Sequence, residues 1–195
     1  MIVDRDAALL GRMPGLPDEV FASDGLITKR VIRASALAHL RPLPGQLLWD
    51  VGTGAGSIAV EWCRAAEGLA PSASNVGPTG RRGPSATPSV SPAKEPSGLS
   101  RGRRRGAGRS ARPDAVFVGG GGTLEVLELA MAALRDGGRL VVHGITVEAE
   151  QLCVAAHERW GGHLSRIQVE NVEPLGSLLG WKPLRTVTQW AVAKA

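Results

Sequence analysis

The stretch Asp50-Val51-Gly52-Thr53-Gly54-Ala55-Gly56-Ser57 combines an acidic residue with three glycines at alternate positions. Glycines so spaced permit a tight turn and let a ligand approach the backbone, because no Cβ stands in the way. A helix opening at Ser57 adds unpaired N–H groups and a partial positive charge at the same place. The spacing is not the G-x-G-x-x-G of dinucleotide sites. A second glycine run, Gly119-Gly120-Gly121-Gly122, leaves backbone N–H groups unshielded for a carboxylate-rich ligand. His143 can contact a carboxylate or act as a base, although a half-exposed structural histidine is the plainer reading. No nucleophilic triad is visible, and no catalytic residue is assigned. Cys63 and Cys153 lie far apart in apolar helical stretches and read as buried thiols. His157 and His163 form no metal-ligand spacing with either cysteine, so no metal is expected.

These residues need elements to hold them. Thr28 reads as the N-cap of a helix whose Val31, Ala34, Ser35 and Ala38 share a face, and the helix stops before Pro42. After the Pro44-Gly45 turn, Leu47-Leu48-Trp49-Asp50-Val51 is a short apolar run of the buried parallel-strand type. A helix over 57–66 follows the glycine turn. Asp114–Val118 is a second buried strand, and Thr123 caps a helix whose Leu124, Leu127, Ala130, Met131 and Leu134 recur at helical spacing. Arg139–His143 is another strand and 148–160 another helix, with Glu148 and Glu150 complementing its dipole. Two alternating stretches, about 163–172 and 184–193, read as an antiparallel pair at a sheet edge, with Trp181 and Trp190 as packing residues. Alternating strands and helices mean an α/β fold, a parallel-type sheet covered on both faces.

With 195 residues, 20.3 kDa and 43% hydrophobic residues, the chain suits one globular domain, here taken as 1–195. No apolar run approaches the roughly 20 residues needed to span a bilayer, and the first residues lack a signal-peptide pattern. A cytoplasmic protein with no membrane association is expected. The net charge of +5 is unevenly placed: residues 71–113 hold eight Arg and one Lys against one Glu, while the remainder carries a net −3.

Thirty of those 43 residues are Ser, Arg, Gly or Pro. Such a stretch buries too little apolar surface to offset its ordering entropy, so 68–113 is expected to be a disordered segment within the domain. Three readings remain open. It is a natural flexible insertion, or a basic loop for polyanions centred on Arg101 and Arg103-Arg104-Arg105, or GC-rich DNA read out of frame. No aromatic platform interleaves with the arginines, which argues against nucleic acid as a partner.

Asp-x-Gly-x-Gly-x-Gly resembles the cofactor turn of Rossmann-like class I S-adenosylmethionine-dependent methyltransferases. With Met13-Pro14-Gly15-Leu16-Pro17-Asp18-Glu19-Val20-Phe21, Gly25–Arg30, Phe117-Val118-Gly119-Gly120-Gly121 and Val187-Thr188-Gln189-Trp190, the chain is similar to the decarboxylating precorrin methyltransferases of cobalamin biosynthesis. The similarity covers about residues 13–67 and 113–194 and lies with the C-terminal, C-15-methylating domain of the precorrin-6Y methyltransferase family. It implies methylation of C-15 of a corrin-precursor tetrapyrrole, with loss of carbon dioxide from the C-12 acetate. It implies S-adenosylmethionine as methyl donor, a homo-oligomer of up to four chains, and a separate domain or protein for C-5. Thr28, Asp50, Gly52, Thr53, Gly54, Ala55 and Gly56 then match cofactor-binding positions, and Gly119, Gly120, Gly121 and Gly122 the loop beside the tetrapyrrole.

One departure stands out. The family places an acidic residue about 20 positions after the glycine turn, at the end of its second strand, to hold the ribose. The comparable stretch, Ser72 to Arg82, has no carboxylate and no strand pattern, and the third strand is unreadable. The second and third strands are therefore expected to be degraded or missing, and S-adenosylmethionine binding impaired. The contrasting reading is an inactive methyltransferase scaffold that binds polyanions through the Arg-rich loop.

Overall fold

The computed structural model describes residues 10–22, 27–65, 70–74 and 112–195, with 70–74 described in backbone alone. Four apolar or small-residue runs make parallel strands: β1 (Leu47–Val51), β2 (Ala70–Ser74), β3 (Ala115–Val118) and β4 (Arg139–Gly144). Among the described residues the central sheet also takes in β5 (His163–Ile167) and β8 (Val187–Ala193), in the order β2-β1-β3-β4-β8-β5. β8 runs antiparallel to both β4 and β5, which is the reversed finish expected from the alternating C-terminal stretches.

The helices α1 (Arg30–Leu40), α2 (Ser57–Ala65), α3 (Leu124–Ala133) and α4 (Val147–Trp160) cover the two faces. Because side chains alternate along a strand, the central strands divide their apolar residues between the faces. Ala115, Phe117 and Val141 pack with Leu37, Leu40, Ile58 and Trp62 of α1 and α2. Val116, Val118, Leu140 and Val142 pack with Leu127, Leu134 and Ala156 on the α3 and α4 side, where Trp190 of β8 is also buried. Helix ends follow local chemistry. The Thr123 hydroxyl accepts from Val126 N at 3.3 Å and the Thr146 hydroxyl from Ala149 N at 3.2 Å, each satisfying an amide that has no partner inside its helix.

Three expectations need correction. Thr28 is not the N-cap of α1: Lys29 holds that place with extended backbone and no side-chain cap. Thr28 instead turns its carbonyl to the Arg33 guanidinium, one turn into the helix. Second, a strand does form where none was expected. Ala70–Ser74 pairs parallel with β1, Leu47 facing Ala70 and Val51 facing Ser74. A parallel ladder needs only backbone groups on its outer edge, so β1 recruits a segment of small residues that carries no apolar strand pattern. The second strand is therefore short rather than missing. The third strand, and residues 68–69 and 75–111 of the expected disordered segment with its arginine cluster, lie outside the described residues, while Arg112 near its end is ordered and donates to the carbonyls of Ala132, Ala133 and Leu134. Third, the first C-terminal stretch ends as a strand at Ile167 rather than 172, and residues 170–183 form a hairpin, β6 (Glu170–Leu175) with β7 (Leu178–Pro183), which among the described residues pair with each other and not with the central sheet. Trp181 belongs to that hairpin and is 70% exposed, so it is no packing residue of the terminal pair, unlike Trp190.

Strand order reverses beside β1, since β2 and β3 flank it on opposite sides. Such a switch point opens a crevice at the carboxyl ends of the strands, where ligands bind in open α/β sheets. β1, β3 and β4 end there at Val51, Val118 and Gly144. Antiparallel β8 begins there, and its register sets Gln189 opposite His143. Among the described residues no helix is long and apolar enough to cross a membrane.

Candidate active site

The two glycine runs meet at this crevice. Gly119 N donates to Val51 O at 3.1 Å, and Gly52 lies so close to the second loop that a Cβ on it would stand 2.3 Å from the Gly120 carbonyl oxygen. Gly52 also has φ 71°, Gly54 49° and Gly56 68°, all in the region that side chains disfavour. Backbone geometry and loop contact thus both require glycine at 52. Gly120 is open: a side chain there meets nothing within 4 Å. The two loops form one backbone-lined ledge with Gly54 and Gly119 to Gly121 exposed on it.

Asp50 lies under this ledge with 1% exposure, and neither carboxylate oxygen has a hydrogen-bond partner among the described residues. Burial raises its pKa to about 7; the Ala59 backbone amide, in the first turn of α2, acts in the opposite direction without closing a hydrogen bond. Buried carboxylates are ordinarily paired, so Asp50 is suited to a hydroxyl, an ammonium or another cationic group arriving from outside the chain.

Beside the ledge is a cavity of about 410 Å³, bounded by Thr28, Lys29, Gly119, His143 and Arg185 together with apolar residues that include Ile167 and Leu184. Thr28 and Gly119 thereby border one space. His143 is buried rather than half-exposed, because β8 covers β4 and presents Gln189 in register. Its Nε2 lies 2.9 Å from Gln189 Oε1 and its ring meets Phe117 edge-on at 5.0 Å. Burial holds its pKa down to about 4, against the opposing Gln189 hydrogen bond. At neutral pH His143 is an uncharged hydrogen-bonding group and not a cationic anchor. The cations of this cavity are Lys29 and Arg185, which the sequence did not single out. Their only signal is position: Lys29 lies within the matched segment Gly25–Arg30, and Arg185 two residues before Val187–Trp190. A large apolar cavity with few polar groups is the usual form of a small-molecule site.

A second missed residue is Glu61. It lies on α2 with 2% exposure and accepts from Gly15 N at 2.6 Å, Leu16 N at 3.0 Å and Arg33 Nε at 2.7 Å. Arg33, fully buried, reaches Asp18 Oδ1 at 2.6 Å and also donates to the carbonyls of Leu16 and Thr28, with the Phe21 ring 4.6 Å away. This knot ties the lead-in segment to α1 and α2. Leu16, Val20, Phe21 and Ile27 then pack over Ala55 and Val60, which closes one side of the glycine turn. Ala55 serves this contact; Gly54 is the turn's exposed member.

A glycine turn after the first strand, at the switch point of a sheet that ends in a reversed strand, defines a Rossmann-like class I methyltransferase. Residues 19–194 match the precorrin methyltransferase domain family, and the chain belongs to that family. It is 40% identical over 194 residues to the precorrin-6Y C(5,15)-methyltransferase [decarboxylating] of Sinorhizobium sp, covering 98% of this chain and 46% of that protein. The chain thus spans somewhat under half the length of that relative. A probable cobalt-precorrin-6B C(15)-methyltransferase (decarboxylating) of Saccharolobus solfataricus is 28% identical over 159 residues, 76% of this chain and 78% of that one. The crystal structure of the C-terminal domain of precorrin-6Y C5,15-methyltransferase from Rhodobacter capsulatus superposes with a TM-score of 0.72 at 32% identity, over 95% of this chain and all of that domain.

The residues present fit the methionine part of S-adenosylmethionine, the family's methyl donor. The exposed backbone at Gly54 and Gly120, with open space where a Cβ on Gly120 would stand, leaves room for a close ligand, and the orphaned Asp50 carboxylate suits its ammonium group. Ribose recognition is another matter. β2 ends at Ser74 beside Val51, and between there and Glu95 the sequence holds no acidic residue.

Proposed function

We propose that this chain transfers a methyl group from S-adenosylmethionine to C-15 of a precorrin and removes the C-12 acetate carboxyl as carbon dioxide, within cobalamin biosynthesis. The observation that carries this reading is the junction of Gly52 with Gly120, which joins a cofactor ledge to a cavity edged by Lys29 and Arg185. S-adenosylmethionine bound there supplies an electrophilic methyl carbon. Gly52 to Gly56 and Asp50 hold its methionine end, Thr28 flanks it, and Gly119 to Gly122 separate it from the tetrapyrrole. Lys29 and Arg185 meet the substrate's acetate and propionate carboxylates, and the apolar cavity wall excludes water from the reacting carbon.

In methylation a new bond forms between C-15 and the methyl carbon as the carbon–sulfur bond breaks. In decarboxylation the bond between the acetate methylene and its carboxyl breaks. The electron pair left behind passes into the conjugated ring, and the methylene takes up a proton. Neutral His143, held by Gln189, keeps a hydrogen bond available at that end of the cavity without adding charge. Methylation at C-5 belongs to another domain or protein, in keeping with the names of the two relatives and with the match to a C-terminal domain.

The test is a reaction with methyl-labelled S-adenosylmethionine and a precorrin substrate, read by NMR. The expected product carries one label at C-15 and has lost one carbon dioxide; label at C-5, or binding without transfer, overturns the proposal. A ribose site without its carboxylate should bind S-adenosylmethionine about 10- to 150-fold more weakly than one with it, from the loss of about 1.5–3 kcal/mol of charge-assisted hydrogen bonding. Calorimetric titration checks this, and low-micromolar affinity refutes the weakened pocket.

The hairpin of β6 and β7 bears on assembly. Leu175, Leu178, Leu179 and Trp181 are each at least 70% exposed, and Val172 is about half exposed. So dense an apolar patch on a two-stranded ribbon is unusual for a surface left in water. We infer that copies of this chain associate through their hairpins, as a homo-oligomer of up to four. Leu178→Glu with Trp181→Glu should convert the assembly to monomers in sedimentation velocity while circular dichroism stays unchanged. An unaltered sedimentation coefficient would exclude the hairpin as the contact.

A further inference from the structure

At the opposite end of the sheet from the glycine loops, a pocket of about 310 Å³ is bounded by His39 and Arg41 from the end of α1, Arg139 at the start of β4, Gly162, and Ala191 to Ala193 of β8. The charge here is one-sided. Among the described residues no acidic side chain borders the pocket. The nearest acid acting on Arg139 is Asp114, whose Oδ2 accepts from Leu47 N at 2.8 Å and whose Oδ1 accepts from Arg135 at 3.1 Å. That one carboxylate is thus shared between Arg135 and Arg139. His163 stacks on His39 with ring centroids 5.4 Å apart, a second imidazole behind the first.

Arg139 makes this more than a cationic surface. It is 8% exposed; Nη2 donates to Gln46 Oε1 at 2.5 Å, but Nε is buried without a partner among the described residues. A guanidinium presents its donors in a planar fork that matches two oxygens of an oxyanion. The dipole of α1 accounts for His39 and Arg41 at a helix C-terminus but not for Arg139, which is on a strand. Burial, and the repulsion of Arg41, push the Arg139 pKa down, and His39 is likewise pushed down by burial, His163 and Arg41. An arriving anion relieves these repulsions.

We propose that this pocket is a second ligand site, which binds a phosphate-type oxyanion between Arg41 and Arg139 with His39 at its rim. The site is independent of the reaction proposed above. Inorganic phosphate is the probe, titrated by calorimetry and by thermal melting against sodium chloride of matched ionic strength. Millimolar binding with a rise in melting temperature is expected. Arg41→Gln, at an exposed position, should weaken it at least fivefold, and Arg139→Gln should remove it. Acetate run in parallel tells a carboxylate from a phosphate preference, and equal response to both sends the specificity back to a general anion site. Phosphate binding unchanged in Arg41→Gln, or no response beyond that of chloride, overturns the proposal even if Arg139→Gln fails to fold.

Discussion

Gly52→Val is expected to abolish S-adenosylmethionine binding, with an affinity loss of at least 100-fold in calorimetric titration and no methyl transfer. Two independent costs combine. A β-branched residue at φ 71° sits in the left-handed region, which costs about 1–2 kcal/mol by itself. The Cβ would also stand 2.3 Å from the Gly120 carbonyl oxygen, with Gly120 C and N at 3.0 Å. Those neighbours are backbone, so no side chain can swing away, and one of the two loops has to move by about an ångström. Either movement separates the cofactor ledge from the loop that faces the substrate. Gly11→Ala, where a Cβ meets nothing within 4 Å, serves as the comparison and should leave affinity within about twofold. If Gly52→Val binds S-adenosylmethionine normally, the glycine turn is not the cofactor site.

The largest expected loss of stability is that of Glu61→Ala. The substitution strands the buried Arg33 charge and also leaves the amides of Gly15 and Leu16 without their acceptor. Breaking one side of a buried pair costs about 3–5 kcal/mol, against a total domain stability of roughly 5–15 kcal/mol. Urea unfolding should show the midpoint falling by about a fifth or more. Arg33→Met combined with Glu61→Leu should recover part of the loss, because it removes both charges together. Recovery should be incomplete: two carbonyls and two amides still lose their partners, and Asp18 keeps only the longer Lys29 contact among the described residues. A loss below about 1 kcal/mol for Glu61→Ala would mean that the knot is solvated in solution and does not anchor the lead-in segment.

Much of the sheet was legible because its strands are short apolar runs bounded by glycine, proline or capping threonine. β1 and the helix spans were placed to within a residue or two, and Thr123 caps α3 as its position implied. β2 was not legible. Its residues are small alanines, serines and a proline, and its strand conformation comes from pairing with β1 rather than from its own pattern. Thr28 failed as an N-cap for a related reason. A buried arginine one turn away took up its carbonyl, and a side-chain cap is one weak preference among several at a helix start.

The sequence by itself determined the chemistry on offer: an acid and three glycines after a strand, a second glycine run after another, and a lead-in segment shared with one family. These are local patterns whose meaning depends on neighbours in the chain. What only the tertiary structure decided is which of them touch. Gly52 against Gly120, His143 against Gln189 and Glu61 against Gly15 are pairs separated by 46 residues or more, the first two brought together by parallel and antiparallel registers and the third by the lead-in segment meeting α2. Burial was also decided there, and with it the unpaired Asp50, the neutral His143 and the exposed Trp181. Spacing along a chain fixes neither contact nor solvent access, because both arise from packing between elements distant in sequence.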